Sequence, residues 1–146
     1  MKRLPGRASS AALLLESAAG ELLIVKSSYK EHWTVPGGVI EQDEMPKATA
    51  IREAYEETGV EVDPRLVEFV AVAVRTSPDF ITYQFIFKAR LPVGVPIRLQ
   101  QSEIDEYIFV SRDQVATNRS NYGEVIYTWA HDRTGYMEQA FEAQSE

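Results

Sequence analysis

The sequence has no cysteine among its 146 residues. Disulfide frameworks, thiolate zinc sites and cysteine nucleophiles are excluded, while the compartment is only loosely constrained. Histidine is scarce: His32 and His131 stand apart from each other and from any helical partner, and neither is assigned a role. Ser27 and Ser28 lack a nearby His and Asp, so a serine nucleophile has no support. Basic charge is in deficit, with 15 Lys and Arg against 22 Asp and Glu and a net charge of −7. That balance disfavours a phosphate-tracking surface, so no stable nucleic-acid partner is expected. Long apolar runs are missing too: nothing approaches the ~18 residues of a membrane span. Lys2, Arg3 and Arg7 precede the run Ala11 to Leu15, but Glu16 ends it short of the roughly 7–15 residues of a secretory core. The expectation is a soluble, cytoplasmic protein with no membrane association. Repeats, low-complexity tracts and linkers are also lacking.

What remains suits one globular domain over 1–146, long enough to bury a core and 45% hydrophobic. "AALLLE" (11–16) and "ELLIVKSS" (21–28) are β-prone runs around the turn-forming "SAAG" (17–20), as in a hairpin. "WTVPGG" (33–38) holds Pro36, Gly37 and Gly38 in succession and reads as a loop that brings bare backbone close to a ligand. From Pro46 to Thr58 a helix is expected, with Pro46 in its first turn and Gly59 just past its end. "LVEFVAVAV" (66–74), "ITYQFIFKARL" (81–91) and "EYIFV" (106–110) read as strands, with "SPD" (77–79) as a turn. Tyr83, Phe85 and Phe87 alternate along the second of these as a buried sheet face would. Tyr122, Val125, Ile126 and Trp129 have the spacing of a docked terminal helix, and the tail "EAQSE" (142–146) is expected to fray. Strands and helices mix within one unit of the α/β or α+β kind.

Charge is concentrated in one stretch. Residues 41–63 hold eight acids and two bases, six of the seven net negative charges. On a helical wheel Ala48, Ile51, Ala54 and Tyr55 share one arc and Glu53, Glu56 and Glu57 the opposite one, so the wet face is expected to be nearly all acid. Like charges at i,i+3 and i,i+4 cost roughly 0.2–0.5 kcal/mol per pair. An acidic solvated face is a common outcome of such a pattern. A second outcome is suggested by the neighbours: two glycines upstream, Glu44 near the helix entrance, and Arg52 one turn before Glu56. Hard cations such as Mg²⁺ take carboxylate and carbonyl oxygens and share them with substrate phosphates.

Gly38, five residues, Glu44, seven residues and then "REAYEETGV" (52–60) resemble the full signature of the Nudix hydrolases, Gly-x5-Glu-x7-Arg-Glu-U-x-Glu-Glu-x-Gly-U, where U is bulky and aliphatic. Every fixed position matches. Ala54 is smaller than the residue usual at its U position. The flanking "WTVPGG" and "EIDEYIFV" (103–110) resemble the family's neighbouring strands. The resemblance implies an α/β/α sandwich with a mixed β-sheet, and hydrolysis of a nucleoside diphosphate linked to another group X, with Mg²⁺ or Mn²⁺ as cofactor. It implies Glu53, Glu56 and Glu57 as metal ligands, with the carbonyl of Gly37 or Gly38 completing the set and Arg52 holding Glu56 or Glu44. The general base stays open between Glu53, Glu103 and Glu106. So does X: a nucleoside triphosphate, an ADP-sugar or a dinucleoside polyphosphate would each serve, and Pro78 lies too late to mark a subgroup. Loops near 27–32, 75–80 and 100–106 are expected to select X. Trp33 is expected to pack at a strand end rather than stack on a base, and Lys26, Lys30 and Arg75 to be solvated surface. A homodimer is open. The alternative to an enzyme is a non-catalytic module of the same fold that senses a nucleotide sugar.

Overall fold

The structure, a computed structural model, describes residues 9–139. Lys2, Arg3, Arg7 and the tail 142–146 lie outside the described residues. Seven strands, β1 (Ser10–Glu16), β2 (Leu22–Lys26), β3 (Gly37–Val39), β4 (Glu68–Thr76), β5 (Ile81–Arg90), β6 (Glu106–Val110) and β7 (Gly135–Gln139), alternate with the helices α1 (Pro46–Thr58), α2 (Arg112–Thr117) and α3 (Glu124–Ala130).

The architecture follows from a strand with no polar face. Successive side chains of β1 point to opposite sides, and both sides are apolar: Ala11, Leu13 and Leu15 enter one buried cluster, Ala12 and Leu14 another. Such a strand is stable only with a layer on each face. α1 supplies the first layer through Ala50 and Ala54, and α2 and α3 supply the second through Val115, Ile126 and Trp129. The sheet runs β6–β2–β1–β5–β4–β7, with β3 added against β1. β1–β5 and β4–β7 are parallel and the other pairs antiparallel. This is the expected α/β/α sandwich with a mixed sheet.

Several expectations need correction. Gly37 and Gly38 are paired in a strand, opposite Ala12 and Ala11. The missing side chains allow it, since a Cβ on Gly37 would stand 2.7 Å from the Ala11 carbonyl oxygen. β2 ends at Lys26, before Ser27 and Ser28. Pro64–Leu66 form a 3₁₀ turn capped by Asp63, whose Oδ1 accepts the Arg65 N–H at 2.9 Å, so β4 starts at Glu68 and runs on to Thr76. β5 has two buried faces, Phe87 packing in the first cluster and Ile86 in the second. α2 and β7 were not anticipated. Trp33 packs against the second cluster and bridges to Tyr122, as expected of a strand-end residue.

Candidate active site

The acidic face of α1 is not its wet face. Ala50, Glu53, Ala54, Glu57 and Thr58 recur at the i, i+3, i+4, i+7, i+8 spacing of a stripe that faces a sheet. Glu57 is buried, 7% exposed, whereas Tyr55, placed by the wheel on the apolar arc, is 50% exposed. Ala48 is exposed as well. The stripe is turned this way because its alanines are small enough to lie against β1, which brings the two glutamates against the side-chain-free backbone of β3. Ala54, the short residue of the signature, is fully buried there. The helix stops where the signature glycine adopts φ 75° and donates its N–H to the Tyr55 carbonyl at 2.8 Å.

Glu57 Oε2 accepts the Gly37 N–H at 3.1 Å. Gly38 is in such close contact with Glu53 that an added Cβ would lie 2.3 Å from its Oε1. Burial, together with the hydrogen bond that its protonated form donates to Glu53, pushes the Glu57 carboxyl up from its ordinary 4.5 to about 8. Arg52 manages the rest of the charge. Its Nε and Nη2 grip Glu44 at 2.7 and 3.0 Å, and its Nη1 donates to Glu53 at 3.1 Å and Glu56 at 3.0 Å. Glu44 also accepts from the Thr49 hydroxyl at 2.6 Å. The bidentate guanidinium, then Thr49, hold the Glu44 carboxyl down at about 2, and Glu44 in turn raises Arg52 further above its ordinary value. Arg52 therefore contacts both carboxylates that it was expected to choose between.

A cavity of about 520 Å³ opens beside this group. Glu53, Glu57, Gly37 and Gly38 line one side of it. Glu56 does not: it is turned to Arg52, its side chain 45% exposed. Of the acids considered as bases, Glu103 lines the cavity with Glu53, while Glu106 lies in β6 opposite Lys26 of β2. The segment carrying Glu103 is tied to the end of α1, Arg98 N–H bonding the Thr58 carbonyl at 2.7 Å and Gln100 N–H the Glu57 carbonyl at 3.1 Å. Each loop expected to select X contributes to the lining: Tyr29 and Lys30, Arg75, and Glu103. Lys30 and Arg75 are exposed, as expected, yet sit at the cavity, whereas Lys26 hydrogen-bonds the Ser27 and Lys30 carbonyls. His131 stacks on Tyr127. Gln84 and Glu124 line the cavity without having been singled out. Gln84 carried a signal, a polar residue between Thr82 and Ile86 on a strand with little solvent; Glu124 carried none.

Among the described residues no three carboxylate or histidine side chains form a ready-made metal cluster. The donor chemistry nevertheless fits a hard divalent cation. Two carboxyl groups are pressed together in a buried place beside backbone that a side chain would fill, and without a cation Glu57 is held toward its neutral form.

A pH effect follows. Between pH 4.5 and about 8 the folded protein keeps a proton on Glu57 that the unfolded chain releases. Stability of the cation-free protein therefore falls as pH rises through that window. Thermal melts in chelator should show the drop from pH 5 to pH 8, and Glu57→Gln should flatten it; equal pH profiles for both proteins would clear Glu57 as the cause.

A NUDIX domain model matches residues 6–130. The chain belongs to the Nudix hydrolase family. Among Nudix relatives it is 31% identical over 101 residues to phosphatase NudJ of Escherichia coli (strain K12), which is 67% of this chain and 65% of that protein. A stretch of 41 residues, 27% of the chain, is 54% identical to mouse (Mus musculus) diphosphoinositol polyphosphate phosphohydrolase 3-alpha and spans 25% of it. The chain thus covers less than two thirds of either relative. In fold it is similar to the MutT protein from Methanosarcina mazei Go1, with a TM-score of 0.71 at 20% identity over 90% of this chain and 94% of that one. It is also similar to a C. elegans Ap4A hydrolase, with a TM-score of 0.66 at 19% identity over 86% and 93%.

Proposed function

We propose that this Nudix protein is a divalent-metal-dependent pyrophosphohydrolase that cleaves the diphosphate of a nucleoside diphosphate linked to X, where X completes a nucleoside triphosphate, an ADP-sugar or a dinucleoside polyphosphate. The observation that carries this is the buried pair Glu53 and Glu57, set against the glycines of β3 at the wall of a cavity large enough for a nucleotide. The phosphatase and hydrolase names of its relatives support the reaction class.

Glu53 and Glu57, with Glu56 beside them and the carbonyl of Gly37 or Gly38, would hold Mg²⁺ or Mn²⁺. The ion, when bound, offsets charge on phosphoryl oxygens and lowers the pKa of water. The protein's own groups do the remainder. The Gly37 N–H fixes the Glu57 carboxylate, and Arg52, itself fixed by Glu44, fixes Glu53 and Glu56. Lys30 and Arg75 attract phosphate oxygens to the mouth. Water oxygen adds to phosphorus, the bridging P–O bond breaks, and the water proton passes to a carboxylate, Glu103 or Glu53. The products are a nucleoside monophosphate and phosphorylated X, or pyrophosphate from a triphosphate. With its net charge of −7 the protein acts on a small molecule, not along a nucleic acid.

The test is monophosphate release from triphosphates, ADP-ribose, nucleotide sugars and dinucleoside polyphosphates, each with Mg²⁺, with Mn²⁺ and with chelator. Turnover of at least one class, abolished by chelator, is expected. Tight nucleotide binding without turnover of any class would replace this reading with that of a sensing module.

A further inference from the structure

Gln84 is a polar residue in an apolar place. It lies in mid β5, in register with Ser10 of β1 and Ala73 of β4, on the face where Ile86 two residues later is buried in the second cluster. It is half-buried, and its carboxamide has no hydrogen-bond partner among the described residues. A carboxamide that lines a cavity with no protein partner keeps its donor and its acceptor free for a ligand that enters there. The space for that ligand exists because Ser10 and Ala12, which line the cavity next to it, are small.

We propose that Gln84 is the specificity-determining residue for the nucleoside, its carboxamide reading a nucleobase edge that carries a donor beside an acceptor. The phosphate end rests on the hydrolase site described above; the base end does not. Gln84 stands two strands from Gly37 and Gly38, across β1, about 10 Å at ordinary strand spacing. A ribose and its 5′-phosphate bridge such a gap, with the diphosphate at Glu53 and Glu57 and the base at β5. A glutamine offers an N–H and a C=O side by side and matches such an edge, as in bidentate contact with adenine. The charge of the walls points the same way. Glu53, Glu57, Glu103 and Glu124 outnumber Lys30 and Arg75, so the walls hold too few cations to select a ligand by its phosphates alone, as recognition of a polyphosphorylated inositol would require.

The experiment uses the full chain and Gln84→Met, which keeps the length and loses both polar groups, with Gln84→Glu, which keeps the shape and loses the donor. Calorimetry in chelator, where turnover does not intervene, gives affinities for the four common nucleoside 5′-triphosphates. It also gives them for the purine or pyrimidine riboside triphosphate lacking the exocyclic group of the paired edge, for inorganic tripolyphosphate and for inositol hexakisphosphate. The wild type should prefer one base over its stripped analogue by about 10- to 100-fold, the scale of one bidentate contact. Both variants should collapse that ratio, and melting curves check that they are folded. Equal binding of the base and its stripped analogue by the wild type would overturn the proposal. So would an unchanged ratio in both variants, or tighter binding of the inositol phosphate than of any nucleotide. Base-selective binding without hydrolysis in Mg²⁺ would overturn the hydrolase reading and leave Gln84 standing; hydrolysis without base selectivity would do the reverse.

Discussion

Glu57→Gln is expected to lower turnover of whichever diphosphate substrate the panel identifies by at least about 100-fold, the scale of losing one major electrostatic contact in a catalytic site. In chelator its thermal stability should match that of the wild type near pH 5 and should not fall below it at higher pH. The two outcomes separate because the folded protein treats this position as neutral when no cation is present: the carboxyl is raised to about 8 by burial and by Glu53. Glutamine reproduces that neutral form, and its carbonyl oxygen can still accept the Gly37 N–H that now bonds Glu57 at 3.1 Å. What glutamine cannot do is give up a proton and present a full charge to a divalent ion and a phosphoanhydride. Steady-state kinetics with saturating Mg²⁺, beside melts in chelator, measure both quantities. Near-normal turnover would remove Glu57 from the metal-binding group, and a collapse of stability would assign it a structural role instead.

The parts of this site that were legible in the sequence are those written in local spacing. Pro46 and Gly59 delimit α1 because a missing N–H suits a first helical turn and a left-handed residue suits the exit. The signature locates the glutamates because it lies on a single loop and helix. Which way α1 faces was not legible from the wheel alone. Ala48, Ile51, Ala54 and Tyr55 form an acceptable apolar arc, and only the approach of β3 makes the neighbouring arc, Ala50 to Thr58, the buried one. β3 itself was hidden because Gly37 and Gly38 read locally as loop; their strand pairing depends on β1, more than 20 residues away in sequence. β7 is an edge strand with Tyr136 65% exposed, so it has little hydrophobic alternation to detect. α2 did carry a signal, a capping box in which Ser111 and Gln114 bond each other's backbone N–H. Its six residues are simply too few for a helical period. Gln84 is the opposite case, since the polar residue is visible but its lack of partners is a property of the assembled sheet.

Gly38→Ala and Gly37→Ala should fail in different ways, and the contrast tests how β3 serves the site. A Cβ on Gly38 would meet the end of a side chain, Glu53 Oε1 at 2.3 Å and its Cδ at 2.5 Å. A flexible carboxylate can move aside cheaply, so the protein should fold with nearly the wild-type melting temperature. Glu53 is then displaced from Glu57, and misplacement of about 1 Å in a catalytic group can cost about 100-fold in rate. The stabilisation that Mg²⁺ gives in thermal melts should shrink with it. On Gly37 the added atom meets backbone, the Ala11 carbonyl oxygen at 2.7 Å and Ala12 Cα at 3.0 Å, and neither can turn away. The β1–β3 pairing must open, at about 1–3 kcal/mol for a forced overpacking of this kind. Gly37→Ala should therefore melt several degrees lower, and what remains folded should keep a Mg²⁺-induced shift. If Gly38→Ala instead loses stability and keeps its rate, Glu53 is not held by β3 for catalysis, and the glycine pair serves only to let two strands meet.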